Sequence, residues 1–222
     1  EGLSILQTAE LLNLGEAYIE AAKAPELIER LGIEAESLEG FLMPNTYFFD
    51  EQPRAGELVE RMVEQFEKEY ETLLKTHPGA RHLDKRYIVT VASIVERETP
   101  AEEERPLVAQ VIYNRIKRDI PLQMDSTLQF ALNKYGERML YADMETESPY
   151  NTYMNRGLPP GPICSPGVGS LSAAMAPADV EYLYFVSNAD GRTHTFSRTL
   201  EEHNRAVARY RREIAPQRRA LR

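Results

Sequence analysis

The chain has 222 residues, which is enough for one large domain or two small ones. Hydrophobic residues make up 42% of it and charged residues 27%, a composition typical of an ordinary globular protein. The formal net charge of −9 argues against nucleic acid as the main partner, because proteins that bind a phosphate backbone usually carry a basic face.

The first part of the chain is predicted to be helical. Apolar residues recur at helical spacing in residues 5–12 and 27–31. The segment "GFLMPNTYFFD", residues 40–50, breaks this pattern, and its aromatic residues and Pro44 predict an extended, edge-like segment. A longer helix is predicted near 56–75, with one face formed by Val59, Met62, Val63, Phe66, Tyr70 and Leu73. The turn-rich "THPGARHLD" follows, and we place a boundary there between a small helical subdomain, 1–79, and a second domain, 80–222. Because "GFLMPNTYFF" is too apolar to be a free linker, we expect Phe41, Leu42, Tyr47 or Phe48 to pack against the second domain and to help form the wall of its groove.

The second domain is predicted to be mostly helical with a β-hairpin near its end. One helix covers "IVTVASIVERE", and Pro106 suits the first turn of the next helix. Capping patterns predict further helix starts at Ser126 with Gln129, at Ser170, and at Thr199 with Glu202. Residues 143–170 are predicted to form a loop, and "YLYFVSN", "ADGR" and "THTFS" predict a strand, a turn and a strand. The fold class is therefore α+β, and the basic end "RYRREIAPQRRALR" is interpreted as a solvated tail.

Glu98 is the most informative ionisable residue in the sequence. On a helical wheel it falls within the apolar arc of its helix, three residues after Val95, whereas Glu96 falls at the edge and Arg97 on the polar side. Pro100 disfavours helical geometry at Thr99, so Glu98 lies in the last turn. The negative end of the helix dipole and apolar neighbours both favour a protonated carboxyl. This position suits a general acid, and a salt bridge to a neighbouring Arg or Lys is the alternative.

Other catalytic or metal-binding patterns are not evident. The four histidines lack a spacing such as HExxH, and no GxSxG elbow or phosphate-binding glycine loop occurs, so we expect neither a metal nor a cofactor. The single cysteine, Cys164, excludes an internal disulfide and is expected to be a small buried side chain. No apolar run approaches the roughly 20 residues of a membrane span.

Two polar segments are candidates for substrate binding. In "SPYNTYMNRGLPPG", Tyr150 and Tyr153 flank Asn151 and Thr152, so aromatic faces alternate with hydrogen-bonding groups, which is the combination that sugars need. Long ordered loops are often functional, although a tyrosine-rich packing loop is the alternative. We expect Tyr150, Asn151 and Tyr153 to lie in the same cleft as Glu98, alongside Gln123 or Ser126, and Asn151→Ala to weaken glycan turnover while leaving the fold intact. The second segment, "LQMDSTLQ", places four polar side chains at a helix entrance, where plain capping is the alternative: Gln123, Asp125, Ser126 and Thr127.

An ordered set of motifs resembles one known family. "EGFLMPNTY", "VASIVERET", "VIYNRI", "LQMDSTLQ", "YNTY" followed by "GLPPGPI", "YLYFV", and "HTF" followed by "HN" occur in the order typical of the YceG-like (MltG) family of endolytic murein transglycosylases. The resemblance covers nearly the whole chain and is strongest from about 87 to 210. No single motif is decisive, whereas the ordered set is specific.

The resemblance implies an activity and a location. It implies non-hydrolytic cleavage of peptidoglycan glycan strands between MurNAc and GlcNAc, leaving 1,6-anhydroMurNAc ends, with Glu98 of "ERET" as the catalytic residue. Family members usually carry an N-terminal membrane anchor and a LysM-like region, and we expect neither within these 222 residues. The resemblance thus implies the extracytoplasmic, periplasmic face of the bacterial cytoplasmic membrane, with peptidoglycan synthases as candidate partners. Two alternatives remain: a non-catalytic glycan-binding module that uses the Tyr150–Tyr153 loop, and a helical scaffold that recruits cell-wall synthases.

Overall fold

The computed structural model describes residues 1–137 and 139–220, with side chains up to residue 215. The last two residues of the predicted basic tail, 221 and 222, lie outside the described residues. The described part is an α+β structure of ten α-helices and one antiparallel two-stranded sheet. In chain order the elements are α1 (Ile5–Leu11), α2 (Gly15–Ala21), α3 (Pro25–Leu31), α4 (Ala55–Thr76), α5 (Lys85–Glu98), α6 (Arg105–Lys117), α7 (Asp125–Leu132), α8 (Tyr141–Met144), α9 (Val168–Met175), β1 (Tyr184–Ser187), β2 (His194–Ser197) and α10 (Leu200–Ala220).

The helix α5 lies at the centre of the core. It packs against α6 and α9, and every residue from Ile88 to Val95 is buried. Thr90 and Ser93, on the predicted polar side of this helix, are therefore buried and do not face solvent. The loop after Gly161 covers it: Ser93 Oγ accepts a hydrogen bond from the backbone N–H of Ile163 (3.1 Å), and the Cys164 thiol donates to Ser93 O (3.3 Å). Cys164 is a buried free cysteine, as predicted.

The segment around Gly40 joins the N-terminal helices to α5. Phe41 and Leu42 are buried in one continuous core with residues of α4 and α5, so the segment is not a free linker. Gly40 has φ +86°, and a Cβ there would lie 2.4 Å from Pro162 Cβ, so only glycine fits this approach. The core thus includes residues from both sides of the predicted boundary at 79/80, and the division into subdomains stays a prediction.

The helix starts follow the predicted capping patterns in only one of three cases. At α10, the N–H of Glu202 donates to Thr199 Oγ1 and the N–H of Thr199 donates to a Glu202 carboxylate oxygen, which confirms that capping box. The Ser126–Gln129 capping box is wrong, because α7 begins at Asp125 and Ser126 bonds to another helix. Ser170 is also not a cap, since it lies buried inside α9.

The C-terminal hairpin is formed as predicted. Strands β1 and β2 pair in antiparallel register, with Tyr184 opposite Ser197 and Ser187 opposite His194. The helix α10 packs against both strands, and Arg209 on this helix donates to Thr195 Oγ1 (2.8 Å). In the part of the chain that the structure describes, no helix combines the length and the apolar character needed to cross a bilayer.

A buried carboxyl near the N-terminus makes stability depend on pH. Burial raises the pKa of Glu39 from 4.5 to about 8, although backbone hydrogen bonds from Ile5 and Gly40 lower it. Because the folded chain then holds this proton more tightly than the unfolded chain, stability should fall as pH rises from about 4.5 to about 8, by on the order of a few kcal/mol. Glu39→Gln, which keeps an acceptor for Ile5 N–H, should flatten this dependence in chemical denaturation between pH 5 and 8. Glu36→Gln, at an exposed position, is the control, and equal slopes in all three proteins would contradict the assignment.

Candidate active site

Glu98 lies in a cleft of about 380 Å³ between the end of α5, the start of α7 and the hairpin. The cleft is lined by Glu98, Arg115, Leu122, Gln123, Met124, Asp125, Tyr153, Tyr184, Phe185, Leu200 and His203. A larger concavity of about 610 Å³ is lined by Leu42 and Tyr47, among others, and does not include Glu98. The expected packing against the second domain is found for Phe41 and Leu42, which are buried in its core, whereas none of the four residues Phe41, Leu42, Tyr47 and Phe48 lines the cleft around Glu98.

The Glu98 carboxyl is held by a helix distant in sequence. Glu98 is the last residue of α5, and Ser126 Oγ in the first turn of α7 donates to Glu98 Oε1 at 2.5 Å. The alternative interpretation, a salt bridge, is not found among the described residues, where Glu98 pairs with no Arg or Lys. Glu98 is thus a fixed carboxyl that remains partly exposed to the cleft.

The surroundings of Glu98 favour its protonated form. Burial raises the pKa of Glu98 above the ordinary value and is the largest cause; the Ser126 hydrogen bond lowers it, the negative charge of Asp125 raises it, and His194 lowers it. The net direction is upward, as the helical wheel predicted. A carboxyl that keeps its proton closer to neutral pH is suited to general acid catalysis.

Glu96 has a different environment from Glu98. Its carboxylate accepts a hydrogen bond from the backbone N–H of Gly167 (3.0 Å) and lies 3.7 Å from the Arg105 guanidinium, and both side chains of this pair are nearly buried. These contacts join the end of α5 to α6 and to the start of α9. Glu96 is therefore a structural carboxylate, away from the cleft.

Three of the predicted binding residues line the cleft with Glu98, and a fourth contacts Glu98 directly. Gln123, Asp125 and Tyr153 have side chains in the cleft, and the Tyr153 hydroxyl donates to Asp125 Oδ1 at 2.5 Å. Ser126 is buried behind them, with its hydroxyl on Glu98. The cleft therefore holds a second carboxyl, Asp125, which the sequence suggested only as a binding residue.

The other four predicted binding residues do not line the cleft. Asn151 is fully buried: its amide donates to Met144 O (2.9 Å) and Thr146 O (2.8 Å), and its Oδ1 accepts from Tyr153 N–H. Thr152 and Thr127 are buried and hydrogen-bonded to each other at 2.9 Å. The ring of Tyr150 packs on Phe130 instead. The expectation that Tyr150 and Asn151 share the cleft with Glu98 is wrong, because the Asn151 amide is buried against the loop backbone and the Tyr150 ring packs on Phe130.

Several cleft residues were not singled out from the sequence. Arg115 of α6, nearly buried, lies with its guanidinium 5.4 Å from the Tyr184 ring, and Tyr184 in turn stacks on His203. Arg115 occurs in "VIYNRI" and His203 in the final "HN", so the motif order was the available signal. Neither residue has a local pattern that distinguishes it from a surface residue.

Buried Glu104 connects the hairpin to the residue after Glu98. It accepts hydrogen bonds from the backbone N–H of His194 (2.8 Å) and from Thr99 Oγ1 (3.3 Å), and His194 Nδ1 lies 2.7 Å from its carboxylate. The His194 ring contacts Phe185 edge-on, and Phe185 lines the cleft. Glu104 thereby fixes the wall of the cleft relative to Glu98.

The fold and the site define an α+β protein with a polar, partly aromatic cleft around a carboxyl of raised pKa. The chain belongs to the YceG-like family, whose model matches residues 1–209. It is 40% identical over 174 residues to a protein of Bacillus subtilis (strain 168) named endolytic murein transglycosylase, covering 78% of this chain and 48% of that protein. A Streptococcus pneumoniae protein of the same name is 33% identical over 198 residues, covering 85% of this chain and 36% of that protein.

A solved structure has the same fold. A crystal structure of a YceG-like protein from Listeria monocytogenes superposes with a TM-score of 0.80 at 33% identity, covering 92% of this chain and 73% of that one. The chain spans about half the length of the first named relative and about a third of the second. The activity of a whole protein therefore comes to this chain as a proposal.

Proposed function

We propose that this chain cleaves the MurNAc–GlcNAc bond of peptidoglycan glycan strands without water, leaving 1,6-anhydroMurNAc ends. The observation that supports the proposal is the position of the Glu98 carboxyl. It accepts a hydrogen bond from Ser126, its pKa is raised, and it is open to a cleft. The names of the two relatives support the same activity.

The chemistry needs one group that first gives and then takes a proton. The protonated Glu98 donates its proton to the glycosidic oxygen, and the bond from that oxygen to C1 of MurNAc breaks. The resulting carboxylate then accepts the proton of the MurNAc 6-hydroxyl as that oxygen bonds to C1. Glu98 ends protonated, so no water is consumed and no cofactor is needed.

The fixed position of Glu98 supports this double role. The 2.5 Å hydrogen bond from Ser126 stabilises the carboxylate between the two proton transfers, while burial and Asp125 keep it basic enough to recover its proton. The carboxylate of Asp125 in the same cleft supplies negative charge near the positive charge that develops at C1.

Location and partners are part of the proposal. We place the activity at the extracytoplasmic face of the bacterial cytoplasmic membrane, where peptidoglycan lies, with membrane attachment only through an N-terminal anchor of a longer protein. Peptidoglycan synthases are the proposed protein partners, because cleavage of new strands is useful where they are made.

Product analysis tests the proposal directly. Purified peptidoglycan digested with this chain should release fragments that end in 1,6-anhydroMurNAc, which mass spectrometry separates from reducing-end fragments by the mass of one water. Reducing ends would mean a hydrolase, for which the two carboxyls Glu98 and Asp125 would be the acid and the second carboxylate. No release of either kind would favour a glycan-binding module.

Two variants should move the pH profile in opposite directions. Ser126→Ala removes a hydrogen bond that lowers the pKa of Glu98, so that pKa should rise and the alkaline limb of activity should move to higher pH. Asp125→Asn removes a negative charge that raises the pKa of Glu98, so the limb should move to lower pH. Rates of anhydro-product release from pH 4 to 9, each scaled to its own maximum, measure both shifts. Shifts in the same direction would contradict Glu98 as the titrating acid.

A further inference from the structure

Gln123 has an unusual backbone conformation beside the proposed catalytic residue. Its φ is +54°, in the left-handed region that residues other than glycine adopt at a cost. Two hydrogen bonds to Thr152 stabilise this backbone conformation. The N–H of Gln123 donates to Thr152 O at 3.0 Å, and the N–H of Met124 donates to the Thr152 hydroxyl. Such conformations cluster at functional sites, and the Gln123 side chain lies in the cleft with Glu98.

Arg115 fixes the orientation of the Gln123 amide. The guanidinium donates to Gln123 Oε1 at 2.8 Å, and its other N–H groups bind Pro121 O (2.8 and 3.0 Å) and Leu183 O (2.9 Å). A guanidinium has donors only, so the amide oxygen and not the amide nitrogen must face it. The NH₂ group of Gln123 is therefore directed away from Arg115, and the exposed side chain lines the cleft with Glu98.

Asp125 provides a hydrogen-bond acceptor in the same cleft as the Gln123 amide donor. One carboxylate oxygen accepts from the Tyr153 hydroxyl, and a carboxylate has acceptor sites to spare. The cleft thus combines a fixed amide donor, an anionic acceptor and apolar side chains, among them Leu122 and Phe185. An acetamido group carries one carbonyl acceptor, one N–H donor and a methyl group, which match these three features.

We infer that Gln123 and Asp125 form a subsite for an acetamido group of the glycan, with Arg115 as the positioning residue. Gln123 Nε2 donates to the acetamido carbonyl, and Asp125 accepts from the acetamido N–H. The inference rests on the proposed function for the sugar that carries this group, and it explains why a strained backbone is kept at Gln123.

The test combines enzyme variants with two substrates. Glycan strands with acetamido groups and strands with free amines in their place are digested by the unchanged chain and by Gln123→Met, and kcat/KM is measured for each pair. One neutral hydrogen bond corresponds to about a 2- to 12-fold change. Gln123→Met should lower kcat/KM on acetylated strands by about 2- to 12-fold and on free-amine strands by clearly less. The ratio of kcat/KM on acetylated strands to kcat/KM on free-amine strands should therefore fall. Gln52→Met, at an exposed position outside the cleft, should keep the ratio of the unchanged chain.

Arg115→Lys tests the positioning role through the same ratio. Loss of the guanidinium frees the Gln123 amide to turn, so the acetyl preference should fall even where melting shows the variant to be folded. A merely structural role would lower both rates together and leave the ratio unchanged. Equal losses by Gln123→Met on both strands would overturn the inference while leaving the proposed function intact. A lack of anhydro product from the unchanged chain would instead overturn the function itself.

Discussion

Glu98→Gln should abolish nearly all formation of anhydro products and leave the fold intact. The amide keeps the shape of the side chain and an acceptor for the Ser126 hydroxyl, but it has no transferable proton. General acid–base catalysis contributes about 10²–10⁴-fold, and here one group acts in both steps. Stability should not fall, because a neutral amide is no harder to bury than a carboxyl. Release of anhydro-muropeptides and the melting temperature measure the two effects.

Glu96→Gln is the matched control at a neighbouring position. It keeps an acceptor for Gly167 N–H but removes the negative charge beside nearly buried Arg105, so stability should fall by about 1–3 kcal/mol. Product release per folded molecule should stay far above that of Glu98→Gln. Near-normal release by Glu98→Gln together with loss of release by Glu96→Gln would show that the wrong glutamate has been assigned.

Asn151→Ala should lower both stability and turnover. Its buried amide satisfies two carbonyls and one N–H of the loop, and removing it leaves those three groups without their partner. We expect a loss of about 2–4 kcal/mol in the free energy of unfolding. Because the loop carries Tyr153 into the cleft, displacement of that side chain should reduce turnover on the order of 10- to 100-fold. The sequence suggested lost turnover in an intact fold, and the burial of Asn151 changes that expectation.

Asn155→Ala is the control within the same loop. Asn155 is exposed, and its amide donates to Ser148 O (2.8 Å) and Asn151 O (3.1 Å), where water can replace it. Its effect on unfolding in denaturant should stay below about 1 kcal/mol. An Asn151→Ala variant as stable as Asn155→Ala, with lost turnover, would restore Asn151 to a direct role in binding.

Local patterns predicted the fold well. The spacing of apolar residues identified α4 and its buried face, the "ADGR" turn identified the hairpin, and the Thr199–Glu202 pair identified the start of α10. Each of these signals comes from neighbours in sequence, which is the range over which propensity and capping act. The position of Glu98 in the apolar arc followed from the same periodicity.

Long-range partners explain what the sequence analysis missed. Ser126 and Gln129 have the spacing of a capping box, yet the Ser126 hydroxyl donates its hydrogen bond to Glu98, 28 residues away. Asn151 between two tyrosines suggests a sugar contact, whereas burial makes it a support of the loop. The orientation of the Gln123 side chain, in the loop before α7, depends on Arg115 of α6. Sequence spacing carries no information on such pairings, because the tertiary fold creates them.

The Glu104 carboxylate connects the hairpin to the end of α5. A two-stranded hairpin is marginally stable alone, and this one depends on α10 and on the hydrogen bonds that Glu104 accepts from His194 and Thr99. Fraying of the strands at His194 would remove both contacts that His194 makes with Glu104, and with them the connection between the hairpin and the Thr99 side chain. Local unfolding of the hairpin would open the wall of the cleft and would also remove support from the residue next to Glu98. An opening wide enough for a long polymer would therefore oppose the alignment of the proposed acid.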